Sequence, residues 1–329
     1  MERLRPRLVL PFAAALIVVA LSARPAGALA PGQLFGVADQ NTGAALYDDA
    51  RLLRLQPTIT RYIADFDVAE TRSTTRDKLD SWYEGARQHD QRMVIAFGSF
   101  LRSAPSEDAY RRGLQAFRTR YPLVGEWEPL NEANHATQPT TNAPALAARY
   151  AVIAREVCPE CTIVQLSLVL GFNDPVGYTR RFLASLPPSE RQRLIFGLHT
   201  YSDTNRGTSV NLARFLRTFR TGDVWITEAA AVARYSPRWP LNVKRQSAAT
   251  ALVFQQAIAA KRRVKRLYWY EWDGPSDPTS TWDSGLLDSA GRTRPAYRIA
   301  LRERFRTRLT RAQTRRFGLA DLVRASRSR

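Results

Sequence analysis

The sequence predicts an α/β fold, a single closed (β/α)8 barrel, and three observations carry the prediction. Eight short apolar runs, most of them rich in β-branched and aromatic residues, recur along the chain as strands do. Segments with helical spacing lie between them. The runs are apolar nearly throughout rather than alternating, as in a parallel sheet covered on its outer face by helices. Eight such units in about 275 residues fit a closed barrel. An open doubly wound sheet is the alternative. It would carry a phosphate-binding glycine loop after its first strand, but FGVADQNTG has no G-x-G-x-x-G, and no G-x-x-x-x-G-K-[ST] occurs anywhere.

The elements follow in order. LFGVAD (34–39) is the first strand, with a helix over 43–54. TITRYIADF (58–66) is the second, after which Leu79, Trp82 and Ala86 share a helix face. RMVIAFGSF (92–100) is the third, and Ser106 with Glu107 and Asp108 opens a helix before Tyr110 to Tyr121. LVGEWEPL (123–130) is the fourth, followed by a helix over 145–157 whose face holds Leu146, Tyr150, Ile153 and Val157. TIVQLSLVL (162–170) is the fifth, with a helix at 177–186. LIFGLHTY (194–201) is the sixth, and Leu212, Phe215, Leu216 and Phe219 mark its helix. DVWITEAA (223–230) is the seventh, with Ala251, Phe254 and Ile258 behind it. RLYWYEW (266–272) is the eighth, with a helix at 295–308. No linker divides residues 31–308, so they form one domain.

The two ends differ in kind. Arg3, Arg5 and Arg7 precede an apolar run from Leu8 to Ala23, and Ala28-Leu29-Ala30 supplies small residues where a signal peptidase cuts. Residues 1–30 therefore read as a secretory signal peptide. The alternative, an uncleaved anchor, would need roughly 20 apolar residues. Formal net charge is +19. Residues 302–329 hold ten Arg against Glu303 and Asp321, so much of the charge belongs to a basic tail, set apart at 309–329. That tail is either a solvated end, the preferred reading, or an electrostatic contact to an anionic cell envelope. Cys158 and Cys161 in VCPECT follow a helix rather than opening one. In an exported chain they read as a structural disulfide, not a redox or zinc site.

The chemistry concentrates in VGEWEPLNEANH (124–135), with Glu126, Glu128 and Glu132 within seven residues. In a barrel of this type the active site lies at the C-terminal ends of the strands. The fourth strand delivers Asn131 and Glu132 there, and the seventh delivers Thr227 and Glu228. The sixth delivers His199 and Tyr201; the eighth delivers Trp269, Trp272 and Asp273; the second carries Arg61. Two carboxylates, aromatic rings and an amide on one rim suit glycosidic bond cleavage, in which one acid protonates the leaving oxygen and a second attacks the anomeric carbon. Glu126 and Glu128 lie deeper on one strand face and are expected to pair with cations inside the barrel. Trp127 is expected between helix and sheet. His135 is either a sugar contact or a plain loop residue, and Asp39 and Asp67 are possible pocket residues. The loop DGPSDPTSTWDSG (273–285) is positioned to cap the cleft.

W-E-P-L-N-E-A-N (127–134), followed 96 residues later by W-I-T-E (225–228), resembles the clan A glycoside hydrolases, most closely the family 39-like branch with its secreted actinobacterial members. The likeness covers roughly residues 33–300. It implies a retaining β-glycosidase acting on oligo- or polysaccharides, with Glu132 as acid/base and Glu228 as nucleophile. It further implies that Asn131 binds the sugar 2-hydroxyl, Tyr201 and Arg61 attend the nucleophile, and Trp269 lines the glycone site, with His199 and Trp272 as further contacts. This sequence has N-E-A where N-E-P is usual. On this reading Glu132 has a raised pKa and Glu228 a low one.

The expected protein is an exported monomer with a carbohydrate substrate and with no metal, cofactor or nucleic-acid partner. Its three His do not form H-E-x-x-H, no G-x-S-x-G is present, and only the tail's charge speaks for nucleic acid. The alternative function is a catalytically silent sugar-binding barrel at the cell envelope.

Overall fold

The computed structural model describes residue 29, residues 32–99 and residues 102–327. The expected signal peptide, residues 1–30, lies outside the described residues apart from Leu29, which is buried. The strands in chain order are β1 (Leu34–Ala38), β2 (Ile59–Asp65), β3 (Arg92–Gly98), β4 (Glu126–Glu128), β5 (Thr162–Ile163), β6 (Leu166–Val169), β7 (Ile195–His199), β8 (Asp223–Ala229), β9 (Arg234–Tyr235), β10 (Val264–Tyr270) and β11 (Trp282–Asp283). Nine of them form one parallel sheet in the order β5-β4-β3-β2-β1-β10-β8-β7-β6. Its two outermost strands, β5 and β6, are the halves of a single run. The sheet is therefore curled into a (β/α)8 barrel, as the apolar runs predict.

The fifth run departs from expectation. It is read as one strand over 162–170, but it breaks after Ile163, and β5 pairs with β4 while β6 pairs with β7. Gln165 sits at the break and turns its amide to the opposite end of the barrel, accepting from Ile195 N at 2.8 Å and donating to Arg193 O at 3.0 Å. One run thus serves both neighbours by changing partner midway.

Helices cover the outside at Thr74–Gln88, Glu107–Arg120, Pro144–Val157, Pro175–Ser185, Val210–Thr218, Val243–Ala259 and Pro295–Arg304. Their starts are chemically marked. Ser73, Ser106 and Asn242 each accept a backbone N–H of the first turn, and prolines open three of the others. The helix expected over 43–54 is two short ones, because Asp49 leaves helical geometry and caps the second by accepting from Arg51 N.

The apolar core has two layers. The larger lies between sheet and helices and includes Trp82, Phe117, Trp127, Phe196, Phe215, Phe254 and Trp269. The smaller fills the barrel and includes Ile59, Val94, Val164, Trp225 and Tyr268. Gly36 fits where β1 and β2 nearly touch, since a Cβ there would stand 1.9 Å from Ile59 O. Toward the barrel floor Glu126 is clamped by Arg266 (Nη2 to Oε1, 2.6 Å) and Arg92 (Nε to Oε1, 2.8 Å), as expected of a structural carboxylate. The Cys158–Cys161 disulfide joins the end of helix Pro144–Val157 to the start of β5.

The preferred reading of the C-terminal tail as a solvated end is corrected. Helix Leu319–Ala325 buries Leu319, Leu322 and Ala325 and packs on helices Val210–Thr218 and Val243–Ala259. Ser326 Oγ reaches Ala259 O at 3.3 Å. Two leucines and an alanine at helical spacing outweigh the local arginine charge, because the arginines point to water while the apolar face is covered. Among the described residues no helix is long and apolar enough to cross a membrane.

Candidate active site

The site is assembled from strand parity. On β2, Ile59 faces the barrel interior, and Arg61, two residues on, shares that face. Its side chain is wholly buried, which is tolerable only with close anionic partners. Arg61 Nε and Nη2 donate to the two oxygens of Glu128 at 2.7 and 3.0 Å. Arg61 Nη1 donates to Glu228 Oε1 at 2.7 Å, and Nη2 also reaches Asn131 Oδ1 at 2.7 Å. Burial works against the guanidinium charge, but Glu128 and Glu228 outweigh it and hold Arg61 above its ordinary pKa. Glu128 is therefore structural, as expected. Its role is to leave Arg61 one fixed nitrogen for Glu228.

Glu228, on β8, has its other oxygen held by Tyr201, whose hydroxyl donates to Oε2 at 2.8 Å. Burial first and Glu228 second keep the Tyr201 hydroxyl protonated, well above the usual phenol range. Tyr201 opens a short helix directly after β7, which aims its ring back over the barrel mouth.

Glu132 arrives by a different device. After β4 the chain stays in the ladder: Asn131 N donates to Phe97 O at 2.6 Å and Ala133 N to Ser167 O at 2.9 Å. Between these two anchors Glu132 takes a left-handed conformation, φ 50°, which swings its side chain toward the mouth. His199, at the end of β7, stands between the two acids. Its Nδ1 lies 2.9 Å from Glu132 Oε1 and 3.5 Å from Glu228 Oε2, and its Nε2 meets Ser167 Oγ at 3.3 Å.

The expectation of a raised pKa for Glu132 is corrected. Burial does push its carboxyl up, but the hydrogen bond and charge of His199, then His135 and Arg61, outweigh burial and hold it below its ordinary range. His199 moves the opposite way: burial lowers it, yet Glu228 and Glu132 raise it above an ordinary imidazole. The pair therefore shares one proton, resting on the imidazole side of the bond. The sequence gives no sign of this, because residues 132 and 199 meet only once the barrel closes.

Two aromatic expectations are also corrected. Arg266 and Tyr268 face into the barrel, so Trp269 faces out. It stacks on Phe254 of helix Val243–Ala259 with ring centroids 6.2 Å apart and does not border the carboxylates. Trp272 is buried against Tyr297 and donates to Asp49 Oδ2 at 3.1 Å, so it is a packing residue. The rings at the mouth are Tyr270 and Trp282 instead. Trp282 meets Tyr201 edge-on at 4.9 Å, and Tyr270 lies 6.4 Å from Tyr201. Anchoring the parity of RLYWYEW on Arg266, the partner of Glu126, would have picked out Tyr270. Trp282 lies in the loop read as a cap, on β11, which pairs with β9.

The remaining candidates separate clearly. Asp39 accepts from Asn41 N, Thr42 N and Trp272 N and so shapes the loop after β1. Asp67 pairs with Arg102 at 2.8 Å. His135 stacks on Phe172 at 4.9 Å, with Nδ1 4.0 Å from Glu132 Oε2. Trp127 packs edge-on against Phe97 and Phe117 beneath a helix. Glu132, His199 and Glu228 each offer an oxygen or nitrogen, all within 4.8 Å of one another, which is close enough to hold a cation. Arg61 already supplies positive charge to Glu228 there.

Two carboxyl groups, one bonded to a buried guanidinium and one sharing a proton with an imidazole, thus face each other near aromatic rings. Comparison by sequence found no matching protein-family model and no matching curated protein. Comparison of folds found many similar solved structures. One is a family 39 glycoside hydrolase from the gut symbiont Bacteroides cellulosilyticus WH2, with TM-score 0.57 and 13% identity over 82% of this chain; the chain spans only 63% of that structure. Another is a GH10 endoxylanase retrieved from a sugarcane soil metagenome, with TM-score 0.56, 14% identity, and 83% of this chain and 96% of that one covered. A third is the Ignisphaera aggregans GH53 catalytic domain, with TM-score 0.59, 12% identity, and 86% and 99% covered. At such identity the likeness is one of fold: the chain is a (β/α)8 barrel of the shape these glycoside hydrolases share.

Proposed function

We propose that the chain is an exported, retaining O-glycoside hydrolase that cleaves β-glycosidic bonds in oligo- or polysaccharides. The observation that carries the reading is the spacing of Glu132 and Glu228. Facing oxygens lie within 4.8 Å, whereas retaining pairs stand about 5–5.5 Å apart and inverting pairs roughly 6.5–9.5 Å. So short a separation leaves little space for a water between the base and the sugar, which supports direct attack by the second carboxylate.

In the first step Glu228 forms a bond to the anomeric carbon as the bond to the leaving oxygen breaks. That oxygen takes the proton from Glu132, which His199 has supplied to the shared hydrogen bond. In the second step Glu132 takes a proton from water, the water oxygen bonds to the anomeric carbon, and the ester to Glu228 breaks. Arg61 and Tyr201 hold Glu228 fixed in direction throughout. Asn131, oriented by Arg61, is placed for the neighbouring sugar hydroxyl. The family 39-like motif W-E-P-L-N-E-A-N and the structural likeness support the same chemistry, and a disulfide of the kind exported proteins carry supports export.

The test is hydrolysis of a panel of aryl β-glycosides followed by proton NMR. Initial release of the β-anomer, with loss of turnover in Glu228→Ala and its rescue by azide as the α-glycosyl azide, is the expected result. Initial release of the α-anomer would overturn retention. A folded protein that binds sugar and cleaves none would favour the silent sugar-binding barrel.

A further inference from the structure

The buried carboxylates of this barrel have compensating partners, with one exception at the mouth. Glu126 has Arg266 and Arg92, Glu128 has Arg61, and Asp283 has Arg294 at 2.7 Å. Asp39 has three backbone donors. Glu271 directly follows the last residue of β10 and is 6% exposed. Its carboxylate receives a single long hydrogen bond, from Asn41 Nδ2 to Oε2 at 3.2 Å. The guanidinium groups nearby are already engaged, Arg61 with Glu128 and Glu228, Arg294 with Asp283, and Arg51 with Asp49.

The charges around Glu271 are of its own sign. Burial, then Asp39, Asp283, Glu228 and Asp273, push its carboxyl up to about 8. Asp273 is held on the same loop by Thr42 Oγ1 at 2.9 Å. Packing gives no reason to place an acid here, because burying a carboxyl without a cation is unfavourable for the fold. The Tyr270 hydroxyl feels the charge of Glu271, and Trp282 reaches the Glu271 backbone through Ser284 Oγ, which accepts from Trp282 Nε1 at 2.9 Å and from Glu271 N at 3.1 Å. Tyr201 stands 4.9 Å from the Trp282 ring and 6.4 Å from that of Tyr270. Ring faces together with an unneutralised carboxyl are the groups that recognise an organic ammonium ion.

We propose that Glu271, with the rings of Tyr201, Tyr270 and Trp282, binds a free primary ammonium group on the glycone, so that the preferred substrate is a glycoside of an unacetylated amino sugar. The proposal rests on the reading of the cleft as a glycosidase site and names the class of sugar it takes. The proton on Glu271 passes to water as the incoming cation pairs with the carboxylate, and the cation offsets the negative charge of Asp39 and Asp273. A neutral sugar hydroxyl, or an N-acetylated amine, cannot do so.

The experiment compares kcat/KM for 4-nitrophenyl β-glucosaminide, β-galactosaminide, β-glucoside and N-acetyl-β-glucosaminide at neutral pH, in the full chain and in Glu271→Gln. One of the two amino glycosides is expected to exceed the neutral ones by about tenfold or more. In Glu271→Gln that ratio is expected to fall roughly 10- to 100-fold, the loss typical of a buried charge partner. A neutral glycoside preferred in the unaltered protein, or the same ratio in Glu271→Gln, overturns the proposal. If no aryl glycoside is cleaved, the hydrolase reading fails on its own. Calorimetric Kd values for glucosamine and glucose then test Glu271 separately: a glucosamine preference lost in Glu271→Gln upholds it, and equal affinities overturn it.

Discussion

Arg61 Nη1 lies 2.7 Å from Glu228 Oε1, and neither side chain has more than a trace of solvent contact. A guanidinium at that distance fixes the direction of the carboxylate. It also makes the pair a structural liability if one member is removed. Arg61→Met leaves Glu128 and Glu228 buried without a cation, which costs about 3–5 kcal/mol. Urea unfolding is the measurement, and kcat/KM in any folded fraction should drop about 100-fold or more. A variant of unchanged stability would show that water enters the barrel around these acids.

Tyr201 acts on Glu228 through one hydroxyl. Tyr201→Phe removes that donor and keeps the ring against Trp282. A hydrogen bond to a charged group contributes about 1.5–3 kcal/mol, so kcat should fall roughly 10- to 100-fold while the melting temperature changes little. An equal loss in kcat and in stability would assign the hydroxyl to folding alone.

The proton shared by Glu132 and His199 sets a pH window for stability. His199 is raised on folding, so its contribution is full below its unfolded value of 6.5 and is lost as pH rises through the folded value. Glu132 is lowered, so its contribution is full above 4.5 and is lost as pH falls through its folded value. The stability difference between the unaltered protein and His199→Gln should therefore be largest between those two values and shrink on both sides. Denaturation across a pH series checks it; a difference that grows steadily toward alkaline pH contradicts the pair.

Trp269 and Trp282 should separate packing from binding. Trp269→Ala opens a cavity against Phe254 and should cost about 3–5 kcal/mol. Trp269→Phe should hold kcat/KM within about threefold. Trp282→Ala should leave the melting temperature nearly unchanged and lower kcat/KM about tenfold. The reverse pattern would put Trp269 back in the cleft.

Removal of residues 309–329 should destabilise the barrel. Leu319 and Leu322 are fully buried, each worth up to about 1.5–3 kcal/mol. A melting temperature lowered by about 5 °C or more is expected. An unchanged value would mean that the segment only rests on the surface.

Much of this was readable before the fold was known. The eight strands are visible because a doubly covered parallel sheet needs continuous apolar runs, and Ser106 marks its helix because a serine hydroxyl satisfies an otherwise free N–H. Glu128 was identifiable as structural because buried charge demands partners, whereas Arg61 and Tyr201 were placed beside Glu228 only by the family resemblance. The sequence is silent where one residue of phase decides. In YWYEW both faces carry aromatic rings, so only a fixed reference such as Arg266 tells Tyr270 from Trp269. It is equally silent on Glu271, whose character comes from Asp39, Asp273 and Asp283, brought near by loops distant in the chain. The tail's arginines hid a short apolar face that finds its cover only on the finished barrel.

The left-handed backbone at Glu132 has a consequence for how this chain can drift. A non-glycine residue there bears about 1–2 kcal/mol of conformational strain. Replacement by glycine or asparagine relaxes the backbone but also strips His199 of its buried carboxylate partner. Position 132 therefore sets local comfort of the chain against a contact that exists only once the barrel has closed.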